Sequence, residues 1–163
     1  PNFSIDHLGV STMFGRFNRT TGKATVDRAA KSGSLEITIE AASIDTGDGV
    51  KGSRSQSRDD HLRAADFFNV AEFPRITYKS TRIAFTGDNP SAIEGNLTML
   101  GVTKPVNLKI DRWKCNPAQG NNKERCGGNA TGSFKRSDFG MKYGIPNIGD
   151  EIGLNIGFEA LKD

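Results

Sequence analysis

Leu35-Glu36-Ile37-Thr38-Ile39-Glu40-Ala41 places an apolar side chain at every second position, with a charged or hydroxylated residue between. Successive side chains of a strand point to opposite faces, so the stretch reads as a β-strand with one dry and one wet side. The same period of two returns at Ile93, Leu97 and Met99 against Glu94, Asn96 and Thr98. It recurs at Val106, Leu108 and Ile110, and again at Ile152, Leu154, Ile156 and Phe158. Turn-forming groups separate these runs: Thr21-Gly22, Ser32-Gly33, Gly87-Asp88-Asn89-Pro90, Gly127-Gly128 and Ile148-Gly149-Asp150. Many alternating strands joined by short turns predict an antiparallel barrel or sandwich.

One segment leaves this rhythm. Ser55 to Phe68 carries a serine cap, early acids and apolar residues at helical spacing, which predicts a short helix with Leu62, Ala65 and Phe68 facing inward. A lone helix in an all-β chain packs best across an open barrel end. Glycines inside strand patterns (Gly95, Gly132, Gly153, Gly157) either leave interior room or serve only to permit sharp coiling.

The bulk properties set bounds on function. The 163 residues form one domain by length, here 1–163, with enough chain to bury a core. Hydrophobic residues make up 35%, charged residues 25%, and mean hydropathy is -0.50, values of an ordinary globule. No apolar run approaches the roughly 18 residues of a membrane-spanning helix, so stable membrane insertion is not expected. A net charge of +3 with scattered Lys and Arg does not mark a nucleic-acid binder. The chain opens at Pro1 inside an extended segment, which predicts an incomplete first strand.

Cys115 and Cys126 flank a polar, turn-forming stretch containing Asn116, Pro117, Asn121, Asn122 and Lys123. A hairpin there would bring them within disulfide reach, two free thiols being the alternative, and neither belongs to a zinc-binding pair. A disulfide would imply an oxidising compartment. Gly47-Asp48-Gly49-Val50-Lys51-Gly52 has the spacing of a dinucleotide-binding loop but lacks the βαβ setting that gives the motif meaning. If Asp6, His7 and Ser11 shared one strand, His7 and Ser11 would stand roughly 13 Å apart at about 3.3 Å per residue. That is too far for a nucleophile and its base, and no catalytic or metal-binding set is expected.

Several blocks, taken in order, carry a resemblance. They are His7-Leu8-Gly9-Val10-Ser11, Gly15-Arg16-Phe17-Asn18, Arg58-Asp59-Asp60-His61-Leu62-Arg63 and Asp66-Phe67-Phe68-Asn69. Phe73-Pro74, Tyr78-Lys79-Ser80, Gly95-Asn96-Leu97-Thr98-Met99 and Gly101-Val102-Thr103-Lys104-Pro105-Val106 follow. Arg136-Ser137-Asp138-Phe139-Gly140-Met141 and Gly149-Asp150-Glu151-Ile152 close the series. Together they resemble the YceI-like family of bacterial exported, lipocalin-like lipid-binding proteins. The resemblance implies an all-β, eight-stranded antiparallel barrel with one short helix near an open end. It also implies a periplasmic or secreted protein that takes a long-chain lipid or isoprenoid quinone (a polyprenyl phosphate, ubiquinone or fatty-acid-like ligand) and needs no other cofactor.

For such a ligand the expected lining is Phe3, Ile5, Phe14, Leu62, Phe67, Phe68, Leu97, Met99, Phe134 and Phe139, with His7, Arg63 or Lys142 near a polar head group. The alternatives are a hydrolase using a serine such as Ser11, or a structural or signalling module with a filled barrel. A homodimer is compatible with each.

Overall fold

The computed structural model describes residues 1–120 and 123–162. Asn121 and Asn122, read above as part of a hairpin tip, lie outside the described residues, as does Asp163. Among the described residues eleven strands form one antiparallel sheet: β1 (Asn2–His7), β2 (Ser11–Phe17), β3 (Thr20–Asp27), β4 (Ser32–Glu40), β5 (Ile44–Asp45), β6 (Arg75–Thr86), β7 (Asn89–Met99), β8 (Val102–Pro105), β9 (Leu108–Asn116), β10 (Arg125–Lys135) and β11 (Ile148–Leu161). The single α-helix among the described residues, α1 (Arg58–Arg63), falls between β5 and β6. The nearly all-β antiparallel class is as expected; the strand count is eleven rather than eight. Two of the three additional strands are short pieces, the two-residue β5 and the four-residue β8. β8 arises because Leu100 and Gly101 take left-handed backbone angles (φ 53° and 74°), so the chain doubles back on β7.

The strand order is β3-β4-β6-β7-β9-β10-β11-β1-β2-β5, with β8 beside β7. The sheet curls into a half-barrel whose two ends are β3 and β5. Among the described residues no ladder joins β2 to β3. The chain crosses between them at Asn18 and Arg19, where the Asn18 N–H donates to Ser43 O (3.0 Å) and the Glu40 N–H to Arg19 O (3.1 Å).

The alternation read from sequence sorts as strand geometry requires. Ile39, Ile93, Leu97, Met99, Val106 and Leu108 are buried in one core cluster with Ile76, Tyr78, Ile83, Ala130 and Phe139. Leu35, Ile37, Ile110, Ile152, Leu154, Ile156 and Phe158 lie half-buried on the same concave side.

The helix is shorter than expected and starts later. Ser57, not Ser55, is its N-cap: Ser57 Oγ accepts from the Asp60 N–H at 3.1 Å and donates to Asp60 Oδ2 at 2.7 Å. Both bonds complete the first turn, where acidic residues also favour the helix dipole. After Arg63 the backbone leaves the helix at Ala64, and turns closed by Phe67, Phe68 and Asn69 N–H groups follow. Ala65 is therefore exposed rather than inward. Leu62 and Phe68 are half-buried and Phe67 is buried.

Candidate functional site

The concave side of the sheet encloses a cavity of about 1210 Å³. That exceeds the roughly 300–1,000 Å³ common for small-molecule pockets. One end is sealed by α1 and the segments after β5 and β10. The other end opens among the β3–β4 turn, the β9–β10 hairpin and the end of β11, where Arg28, Trp113, Glu124, Cys126 and Lys162 reach the cavity.

The seal is held from several sides. Arg63 donates to Ala42 O (2.9 Å) and Ile44 O (2.9 Å), which ties α1 to the chain after β4. Asp59, 3% exposed, accepts from the Thr46 N–H (3.0 Å) and Thr46 Oγ1 (2.6 Å). His61 stacks edge-on against Phe67 and Tyr143 at 5.1 and 5.3 Å, and Phe17 meets Phe68 at 5.4 Å. These rings close the end by packing, with no long insert needed.

Arg136 is the buried cation of this end, at 1% exposure. Its guanidinium donates to the carbonyls of Gly149 (2.8 Å), Met141 (3.1 Å), Tyr143 (2.9 Å) and Ile148 (2.9 Å), and lies 6.0 Å from the Phe67 ring centre. Burial lowers its pKa, and the nearby Asp150 carboxylate opposes that shift. The Ser137 N–H and hydroxyl donate to Asp150 and hold its pKa below the usual carboxylate value. Higher in the wall, the Tyr78 hydroxyl donates to Val106 O at 2.9 Å. Burial pushes its pKa up to about 12, the mark of a poorly hydrated interior.

Eight of the ten residues expected from sequence border the cavity from its wall or its sealed end: Phe3, Ile5, Leu62, Phe67, Phe68, Leu97, Met99 and Phe134. Phe14 does not share that position. It stands on the opposite face of β2 from Met13, Gly15 and Phe17, is 68% exposed, and touches the cavity only from its rim. The inward place opposite Phe3 is taken by Gly15, whose missing side chain makes room for the Phe3 ring. Phe139 also differs. It is 1% exposed and packs edge-on against Phe134 at 5.3 Å, behind the wall. His7 reaches the cavity, Arg63 is occupied by backbone carbonyls, and Lys142 stands exposed outside.

Sequence reasoning left most of the wall unnamed as lining. Ile37, Ile76, Tyr78, Ile83, Ile110, Trp113, Ile152, Leu154, Ile156 and Phe158 all border the cavity. Their signal was the alternation itself, which marks the concave face without regard to aromatic character. Arg136 gave no periodic signal at all.

Cys115 and Cys126 are directly opposed on β9 and β10 and joined by a disulfide. His7 and Ser11 do not share a strand. They face each other across the β1–β2 turn, because Leu8 and Gly9 take φ of 62° and 65°. Asp6 spends its carboxylate on the Gly9 N–H at 2.8 Å. Among the described residues no side-chain hydrogen bond joins His7 to Ser11.

The fold and site define an antiparallel half-barrel with an apolar interior cavity. The chain belongs to the YceI family: the YceI-like domain matches residues 1–160. It is 36% identical over 164 residues to a UPF0312 protein of Pseudomonas paraeruginosa, covering 98% of this chain and 80% of that one. It is 37% identical over 164 residues to the YceI protein of Salmonella arizonae, covering 99% and 80%. Among solved structures, the YceI protein of Campylobacter jejuni superposes with a TM-score of 0.76 at 30% identity, over 98% of this chain and 90% of that one. BcnA of Burkholderia cenocepacia shares the fold with a TM-score of 0.73 at 24% identity, over 98% and 94%.

Proposed function

We propose that the protein binds one long-chain apolar lipid, of the isoprenoid, quinone or fatty-acid type, inside the half-barrel and carries or sequesters it in the bacterial periplasm. The observation that supports this most directly is the 1210 Å³ cavity walled by alternate residues of the strands and closed at one end by α1. Each methylene moved from water into such a wall is worth roughly 0.8 kcal/mol, so a tail of a dozen carbons supplies affinity without polar contacts. The binding is then tolerant of tail chemistry. The disulfide fits an oxidising compartment, in keeping with a periplasmic site of action.

The test is organic extraction of the purified protein followed by mass spectrometry. The proposal expects a lipid at near one mole per mole, and its recovery after delipidation and incubation with a long-chain quinone or fatty acid. Absence of stoichiometric lipid, with no uptake from either probe, overturns it.

A further inference from the structure

The cavity mouth holds a group that lipid binding does not use. Trp113 and Cys115 share the inward face of β9, and Cys126, Gly128 and Ala130 share that of β10, so the disulfide faces the lumen. Both cysteines are partly exposed. Across the mouth, from the turn between β3 and β4, comes Arg28. Its Nη2 lies beside Cys115 Sγ and 3.2 Å from Cys126 Sγ. The same nitrogen pairs with Glu124 Oε1 at 3.1 Å, and Glu124 in turn pairs with Lys162 Nζ at 3.6 Å. A guanidinium gains little from a neutral disulfide sulfur, which is a weak acceptor. It gains much more from a thiolate, which carries a full charge. A cation fixed against both sulfurs therefore favours the reduced dithiol over the disulfide, and it stabilises the leaving thiolate while the bond is being broken.

We infer that Cys115–Cys126 is a thiol–disulfide exchange site at the cavity mouth, poised by Arg28 for reduction by a dithiol. A thiolate of the incoming dithiol attacks Cys126 Sγ. The Cys115–Cys126 bond breaks and its electron pair stays on Cys115 Sγ, against the Arg28 guanidinium. The second sulfur of the dithiol then attacks the mixed disulfide and releases Cys126. In sum the dithiol is oxidised to its own disulfide, and the protein gains two electrons and two protons as a pair of cysteines. Glu124 acts in the opposite sense, because its carboxylate holds the guanidinium and repels a thiolate.

The experiment equilibrates the protein in graded mixtures of reduced and oxidised dithiothreitol, traps free thiols with a maleimide, and reads the fraction reduced. Arg28→Ala should make the disulfide about tenfold harder to reduce, which is about 30 mV for a two-electron couple. Arg28→Lys should recover part of the shift, and Glu124→Gln should move it the other way. Each variant is first checked for the wild-type circular dichroism spectrum. If the Arg28–Glu124 pair only braced the mouth, removing either partner would shift the equilibrium in the same direction. Shifts of equal sign, or no shift from Arg28→Ala in a folded protein, overturn the inference. Opposite shifts with partial rescue by lysine support it.

Discussion

Replacing Arg136 by methionine tests how the closed end of the half-barrel is held. The substitution keeps much of the apolar stem beside Phe67 and removes the charge with its four hydrogen bonds to the carbonyls of Met141, Tyr143, Ile148 and Gly149. Hydrogen bonds to a charged donor contribute about 1.5–3 kcal/mol each, which sets an upper figure of about 6–12 kcal/mol for four. Only the bond to Met141 O is fully buried; the other three are part-buried, so water regains those carbonyls on mutation. Relief from burying a charge offsets the loss further. The buried Met141 carbonyl left unpaired costs about 1–3 kcal/mol, and with the three part-buried bonds the net cost is about 3–5 kcal/mol. Against a total stability of roughly 5–15 kcal/mol that is a large fraction. It corresponds to a fall in Tm of about 6–20 °C for a domain this size. Urea unfolding followed by circular dichroism measures it as a lower midpoint at an unchanged slope. A loss below about 1 kcal/mol refutes the claim that Arg136 is the clamp of the segment from Met141 to Gly149.

Four other outcomes are expected. Ala24 faces the lumen from β3, opposite Leu35, and is itself exposed, so Ala24→Trp should fill space without displacing a buried neighbour. Lipid recovered by extraction should fall several-fold with Tm unchanged, and full retention of lipid would remove the cavity from the binding account. Trp113, the only tryptophan, borders the cavity 6.1 Å from Phe158, so a long-chain quinone should quench its fluorescence to saturation. Unaltered emission at saturating quinone contradicts lumenal binding.

The Tyr78 pKa of about 12 lies above its unfolded value near 10. Its stabilising contribution is complete below pH 10 and is lost as pH rises through 12. The loss is about 2–3 kcal/mol from a shift of two units, and denaturant midpoints across that window should flatten in Tyr78→Phe. Finally, the Gly128 position faces Arg112 O so closely that a Cβ has no room. Gly128→Ala should disrupt β9–β10 pairing and lower Tm by several degrees, whereas a neutral effect would show that the ladder yields there.

The strands were legible because burial on one face imposes a period of two on residue choice, and Leu35 to Ile39 shows it without interruption, although the chain leaves β4 before Ala41. Strand parity near the chain start was not legible. Phe14 and Phe17 are both aromatic, and only pairing of Phe3 with Gly15 reveals that Phe14 turns outward. The His7–Ser11 relation failed for a related reason. A tight turn through Leu8 and Gly9 needs left-handed backbone at a leucine, which residue identity does not announce. Helix α1 was placed correctly but drawn too long, because Ala65 and Phe68 continue its spacing while the backbone has already left the helix at Ala64. Arg136 escaped because its partners are four backbone carbonyls, groups that every sequence possesses and none advertises.

The missing ladder between β2 and β3 has a mechanical consequence. A closed ring of hydrogen-bonded strands has a circumference fixed by strand number and stagger. This sheet has two free ends, so its bore can widen or narrow by changing curvature while its strand pairs stay intact. Under the lipid-binding proposal, guests of different girth would be accommodated by bending, which is soft, instead of by unpairing, which is stiff. Among the described residues the outer edge of β3 has no partner strand, so its backbone amides are expected to exchange with solvent faster than those of the paired strands.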